Sequence, residues 1–267
     1  MMTNITLGQY FPGNSSIHRL DPRTKILLML LYIVLVFLVR DLWLFLLPLA
    51  FVGFVTLLAQ IPLLYVLRSL KPLQFLLVFM FIINLFLTAG ETVLLTIWRI
   101  RITKEALEQA VFISSRLVLL VGGTSLMTLT TSPISLTAGL ELLLKPFSKL
   151  GFPSHELAMM MTIALRFIPT LMEEADKIKK AQLARGADFE SGNLIARAKS
   201  MIPILVPLFV SAFRRADELA MAMESRCYHG GEGRTRMNVL RFKPADAAAA
   251  ALLCSLGLAI VLLQAGH

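Results

Sequence analysis

Residues 155–186 read HELAMMMTIALRFIPTLMEEADKIKKAQLARG, and the kind of helix this stretch makes decides the architecture of the chain. Leu157, Met161, Ala164, Ile168, Leu171, Ala175 and Ile178 recur at steps of four and three, which puts them on one face of a single long helix. Its first half, Leu157 to Met172, is apolar enough to be mistaken for a membrane span. Arg166 and Pro169 argue against that, and Glu173, Glu174, Asp176, Lys177, Lys179 and Lys180 then take the helix out of the hydrocarbon phase. The helix is expected to stop at Ala184-Arg185-Gly186, because glycine readily takes the left-handed conformation that ends helices.

Downstream, a second helix is expected from Asn193 or Leu194 to about Tyr228, with Gly230 and Gly231 closing it. Its apolar run, Met201 to Phe213, is read as too short to cross a bilayer. Pro203 and Pro207 should bend it, since each removes a backbone donor and clashes one turn back. Two long amphipathic helices thus each finish in a small-Arg-small tripeptide, Ala184-Arg185-Gly186 and Ser225-Arg226-Cys227. Spacing alone favours coincidence, as arginine is common where it complements a helix C-terminus.

Around this block lie long uncharged runs. A helix needs about 20 mainly apolar residues to cross the hydrocarbon core, and five stretches qualify: Ile26–Val39 extended through Thr24 and Lys25, Leu42 to about Ala59, Leu73–Gly90, about Gln109–Thr130, and Ala247–Gln264. Arg68 and Lys71 are placed in an inside loop between the second and third. Arg116, near the outer end of the fourth, is placed either to snorkel or to face the helix bundle, and is assigned a structural role. The organisation expected is residues 1–131 as four membrane helices, 132–243 as cytoplasmic helices with the two arginine tripeptides, and 244–267 as a last membrane helix. The fold class is therefore an all-α polytopic membrane protein with a cytoplasmic helical domain.

Composition agrees. Hydrophobic residues make up 57% of the 267 and charged residues 16%, with a mean hydropathy of +0.74, which a basic nucleic-acid binder would not show. Of the 26 Lys and Arg, 16 lie between Lys145 and Lys243 with 10 of the 17 acids. Basic residues beside apolar spans hold a segment on the cytoplasmic side, so the amino end and the 132–243 region are placed inside and the C-terminus outside. Trp98, Arg99, Arg101 and Lys104, in a connection assigned outside, disagree mildly; Glu91, Glu105 and Glu108 partly balance them. Cys227 and Cys254 suggest no disulfide framework.

Several chemistries lack their residues. There is no phosphate cradle of the G-x-x-x-x-G-K-[ST] kind, and Gly230-Gly231-Glu232-Gly233 is read as a flexible connection. His18, His155, His229 and His267 are scattered, so no catalytic metal is expected. Acids are absent from the cores of the five spans, which weakens a proton- or sodium-coupled carrier. A stand-alone carrier or channel remains the alternative reading, and an intramembrane enzyme ranks below it.

Three segments carry a resemblance to a known family. Gly8-Gln9-Tyr10-Phe11-Pro12-Gly13-Asn14-Ser15 with His18-Arg19-Leu20-Asp21-Pro22-Arg23-Thr24-Lys25, then Arg166-Phe167-Ile168-Pro169 running through Glu173 and Glu174 to Ala184-Arg185-Gly186, and less strictly Ser225-Arg226-Cys227, resemble the T components of energy-coupling-factor ABC transporters. The resemblance implies long crossed coupling helices whose Arg185 and Arg226 each dock on one of two ATPase subunits, a heterodimer, with Ala184, Gly186, Ser225 and Cys227 completing the motifs. It implies an S subunit, one at a time and possible in several exchangeable kinds, against a face including Met160, Met161, Pro169, Pro203, Pro207 and Met221. It also implies a bacterial cytoplasmic membrane location, vitamin cargo such as riboflavin or folate, ATP and Mg held by the partners rather than this chain, no catalytic or metal residues here, and no nucleic acid.

Overall fold

The computed structural model describes residues 10–88, 92–97, 100–189, 191, 193–231 and 239–266. Gly8, Gln9, Gly90, Glu91, Trp98, Arg99, Glu232, Gly233, Arg234 and His267, used in the sequence reading, lie outside them. The chain divides into two compact units, residues 1–140 with 239–267, and residues 141–238.

In the first unit, α1 (Pro22–Leu38) begins where Asp21 accepts a 2.9 Å hydrogen bond from the Arg23 N–H and Pro22 takes a first-turn position, where its missing donor is not needed. At 17 residues α1 is about 25 Å long, the lower limit for a crossing. A 3-10 turn, Leu42–Phe45, leads into α2 (Leu46–Ala59). Then α3 (Leu63–Leu70), a 3-10 turn at Lys71–Leu73 and α4 (Gln74–Leu87) run on as one helical stretch. Arg68 and Lys71 therefore lie within that stretch and not in a loop: Pro72 cannot donate one turn back, so the helix tightens there without ending.

Strands β1 (Val93–Ile97) and β2 (Ile100–Thr103) pair antiparallel, Ile97 opposite Ile100, where the sequence reading places a loop. The run Val-Leu-Leu-Thr-Ile followed by Ile-Arg-Ile-Thr is rich in the β-branched residues that favour a strand. The Thr103 hydroxyl then accepts from the Ala106 N–H and caps α5 (Lys104–Thr130), which is followed by α6 (Pro133–Leu144). The unit closes with α10 (Pro244–Ala265).

Side chains of α1, α2, α5 and α10 form the core, among them Tyr32, Leu35, Val36, Val52, Leu119, Leu126, Leu253 and Ile260. Small residues let the helices approach: a Cβ at Gly123 would fall 2.2 Å from the Tyr32 ring and one at Gly257 2.8 Å from Leu35. The Tyr32 hydroxyl donates to the Leu119 carbonyl at 3.1 Å.

The second unit holds the end of α6, a 3-10 turn at Lys145–Leu150, α7 (Ser154–Ala184), α8 (Leu194–Ser200) and α9 (Ile202–Glu224). The expected second helix is two, broken at Met201. Pro203 starts α9 rather than bending it, because a proline in the first turn loses no helical hydrogen bond; Pro207 alone is interior.

Five described runs are long and apolar enough to cross a membrane: Leu42–Ala59, Leu63–Leu87, Lys104–Thr130, Ile195–Glu224 and Pro244–Ala265. Four correspond to the second to fifth spans expected from sequence. The other, Ile195–Glu224, corrects the sequence reading of Met201–Phe213 as too short to cross: α8 and the last turns of α9 extend that apolar run to 30 residues. The fold is that of a helical, multi-pass membrane protein.

Candidate functional site

The two arginine tripeptides prove to be the same backbone structure. At the end of α7 the Gly186 N–H donates to the Leu183 carbonyl at 3.0 Å and the Ala187 N–H to the Gln182 carbonyl at 3.0 Å. At the end of α9 the Cys227 N–H donates to Glu224 at 2.8 Å and the Tyr228 N–H to Met223 at 3.0 Å, the same spacing of donors and acceptors. Both are Schellman caps. In each, the arginine immediately precedes the one residue in left-handed conformation, Gly186 at φ +83° and Cys227 at φ +53°. Ala184, Arg185, Gly186, Ser225, Arg226 and Cys227 are all exposed.

Helices α7 and α9 lie side by side in opposite directions. The Arg215 guanidinium donates to Glu174 at 3.0 Å near the middle of the pair, while the Tyr228 hydroxyl reaches Met159 Sδ at 3.1 Å beside the start of α7. A hydrogen bond from Ser211, then the Arg215 charge, hold the Glu174 carboxyl below its ordinary value. The 31 residues of α7 extend about 46 Å. Because Arg185 ends α7 and Arg226 sits beside its beginning, the two arginines point from opposite ends of the pair, roughly a helix length apart. Spacing in the sequence holds no trace of this.

Of the seam predicted on α7, Leu157, Met161, Ile168, Leu171, Ala175 and Ile178 are half-buried, and only Ala164 is exposed. Met160, Pro169, Pro203, Pro207 and Met221 are exposed, with Met161 half-buried. The structure also shows a row that the sequence reading did not single out: Ile202, Val206, Phe209 and Phe213 on α9, 49–69% exposed, at the three- and four-residue steps of one helix face. Among the described residues no group of three His, Cys, Asp or Glu comes together as metal ligands would.

The amino-terminal motif serves the first unit. His18 bridges Ser15 Oγ at 2.7 Å and the Phe11 carbonyl at 3.0 Å, and Lys25 Nζ donates to the carbonyls of Thr130 at 2.8 Å and His18 at 3.3 Å. Arg23 pairs with Asp21 at 2.9 Å, donates to the Leu240 carbonyl at 3.2 Å and lies over the Phe242 ring. Burial pushes the Asp21 carboxyl up, but the hydrogen bonds and charge of Arg23 outweigh it and bring it below its ordinary value. Asp246 accepts from the Asp21 N–H at 2.9 Å and the Lys243 N–H at 2.7 Å. Asp246 is a tie that sequence reasoning missed; an acid in the first turn of an apolar helix was the available signal. Arg116 donates to the Val39 carbonyl at 2.9 Å and lies over Phe112, which gives the structural role expected of it a concrete form: it satisfies the end of α1.

A multi-pass helical membrane body accompanied by paired amphipathic helices with matching arginine caps defines the class, a polytopic helical membrane protein. Comparison with known proteins agrees. The cobalt transport protein family CbiQ matches residues 13–237. The energy-coupling factor transporter transmembrane protein EcfT of Thermosediminibacter oceani is 60% identical, covering 93% of each chain. Those of Acidaminococcus fermentans and Clostridium kluyveri are each 55% identical, over 100% and 98% of this chain and 99% and 96% of their own. The chain belongs to the family of energy-coupling factor transporter transmembrane proteins.

Proposed function

We propose that the chain is the coupling scaffold of an energy-coupling-factor importer, joining two ATPase subunits to a substrate-binding S subunit that carries a vitamin or similar micronutrient. The observation that carries this reading is the matched pair of exposed arginine caps at opposite ends of α7 and α9. Two equivalent presentations a helix length apart suit two similar partners, one on each arginine. A guanidinium offers a rigid fork of donors to acidic side chains and carbonyls while its stem packs on apolar wall, which a lysine does not reproduce. ATP and Mg belong to the partners, and this chain contributes no catalytic residue.

When the two ATPase subunits close on ATP, the ends of α7 and α9 are carried with them. The α7–α9 pair shifts as a unit, and its apolar surface, including Met160, Met161, Pro169, Pro203, Pro207 and Met221, transmits the movement to the S subunit. The methionines suit a surface that receives exchangeable S subunits, being flexible and polarizable. The amino terminus and the coupling helices lie on the cytoplasmic side and the C-terminus outside, in agreement with the Lys and Arg excess between Lys145 and Lys243.

The test is co-purification from detergent after co-expression with the ATPase and S subunits, using wild type, Arg185→Glu, Arg226→Glu and the double variant. The double variant should lose both ATPase subunits while keeping the S subunit, and each single variant should weaken retention. Unchanged recovery and unchanged ATP-driven uptake in the double variant would remove the docking role from both arginines.

A further inference from the structure

The two caps share a geometry but not a residue at its critical position. Gly186 has no Cβ and takes its φ of +83° without strain, whereas Cys227 holds φ +53° with a side chain that disfavours it. Something outside the cap must compensate, and the next residue supplies it. The Tyr228 hydroxyl donates to Met159 Sδ at 3.1 Å and stands 3.5 Å from His155 Nε2, at the outer limit of a hydrogen bond. On the other side of the ring, His155 Nδ1 lies 3.0 Å from Glu141 Oε1. The chain beyond the cap then folds over the same ring: Gly230 turns at φ +95°, and a Cβ at Gly231 would fall 2.5 Å from His155 Cδ2, so glycine backbone packs directly on the imidazole. At the α7 cap the residue equivalent to Tyr228 is Ala187, whose methyl has no comparable reach.

We infer that Glu141, His155 and Tyr228 are positioning residues for Arg226: His155, oriented by Glu141, clamps Tyr228 and Gly231 and so keeps Cys227 left-handed and Arg226 presented. The pose of Arg185 is set locally by a glycine, and that of Arg226 by a contact spanning more than 70 residues of sequence. The two docking points are therefore unequal, and only the second is sensitive to a change at the start of α7. This inference rests on the reading that Arg226 docks an ATPase subunit, but the state of the cap can be measured apart from docking.

Two measurements on the full complex test it. Hydrogen exchange should accelerate in the 223–229 segment of His155→Ala and, more weakly, of Tyr228→Phe, with no change in the 182–187 segment; equal exchange in wild type and His155→Ala would overturn the inference whatever Arg226 does. In an Arg185→Glu background, where retention of ATPase subunits depends on Arg226, His155→Ala should lower retention about fivefold, the scale of a left-handed non-glycine residue losing its support. Adding Cys227→Gly should restore it, which recovery of a general folding defect would not do. Failure of that rescue, or full retention in His155→Ala while Arg226→Glu loses the ATPase subunits, would also overturn it. Full retention in Arg226→Glu would instead strike the docking reading and leave the exchange result to decide the clamp.

Discussion

Val36, Val39, Leu253 and Ile260 in the first unit retain 0–1% of their surface, whereas Ile202, Val206, Phe209 and Phe213 in the second retain 49–69%. All eight are large apolar residues, seven of them on helices and Val39 at the end of α1, so side-chain type does not separate them. The first unit packs α1, α2, α5 and α10 around one core, and it secures that core with buried polar ties at Asp21, Lys25 and Asp246. In the second, Ser154 and Ala158 are the only buried residues among those described, since two long helices side by side cover one face of each other and leave the rest open. An open apolar face on such a pair is what lipid or a partner covers.

The first unit is most vulnerable at Asp246. Replacing it by Ala leaves the buried N–H of Asp21 and the partly buried N–H of Lys243 without their acceptor, a loss of about 3 kcal/mol, seen as a lower melting temperature of the detergent-purified protein. A variant that melts like wild type would mean that the first unit is not secured there. Gly123→Ala comes next: a methyl 2.2 Å from the Tyr32 ring must displace it, destabilising by about 2 kcal/mol in the same melt. Phe209→Ser with Phe213→Ser should do the opposite, shifting the melt by less than about 0.5 kcal/mol while reducing recovery of the S subunit. A large drop in melting temperature would show that this row is internal packing.

Smallest is the effect of the Glu174 clasp. Its carboxyl is held below the ordinary value by Ser211 and Arg215, so the stabilisation is present above the ordinary carboxylate range and is lost as pH falls through the depressed folded value. Glu174→Gln should remove that acid-side dependence from hydrogen exchange in the middle of α9. An unchanged pH profile would mean that the clasp contributes nothing to pairing α7 with α9.

Much of this architecture was readable beforehand, and the reasons are local. The three- and four-residue steps from Leu157 to Ile178 drew α7, Gly186 ended it, and the uncharged runs drew α2, α4, α5 and α10, because period, cap and hydropathy each depend on residues a turn or two apart. The misreadings were local too, but two signals competed: Pro203 counts as a bend or as a first-turn residue depending on where the helix begins, and Lys71-Pro72 looks like a loop although the helix continues through it.

Hydropathy, periodicity and helix-ending residues are enough to show a helical membrane protein, most of its helices, and two of them ending in an arginine before a small residue. That the two ends share one cap geometry at opposite ends of the pair, that Asp246 meets Asp21, and that Glu141, His155 and Tyr228 come together becomes visible in the folded chain alone. Helix periodicity is written every few residues, but a contact between positions 73 or 225 apart exists only once antiparallel helices and the packed bundle bring them together, and no local pattern carries that.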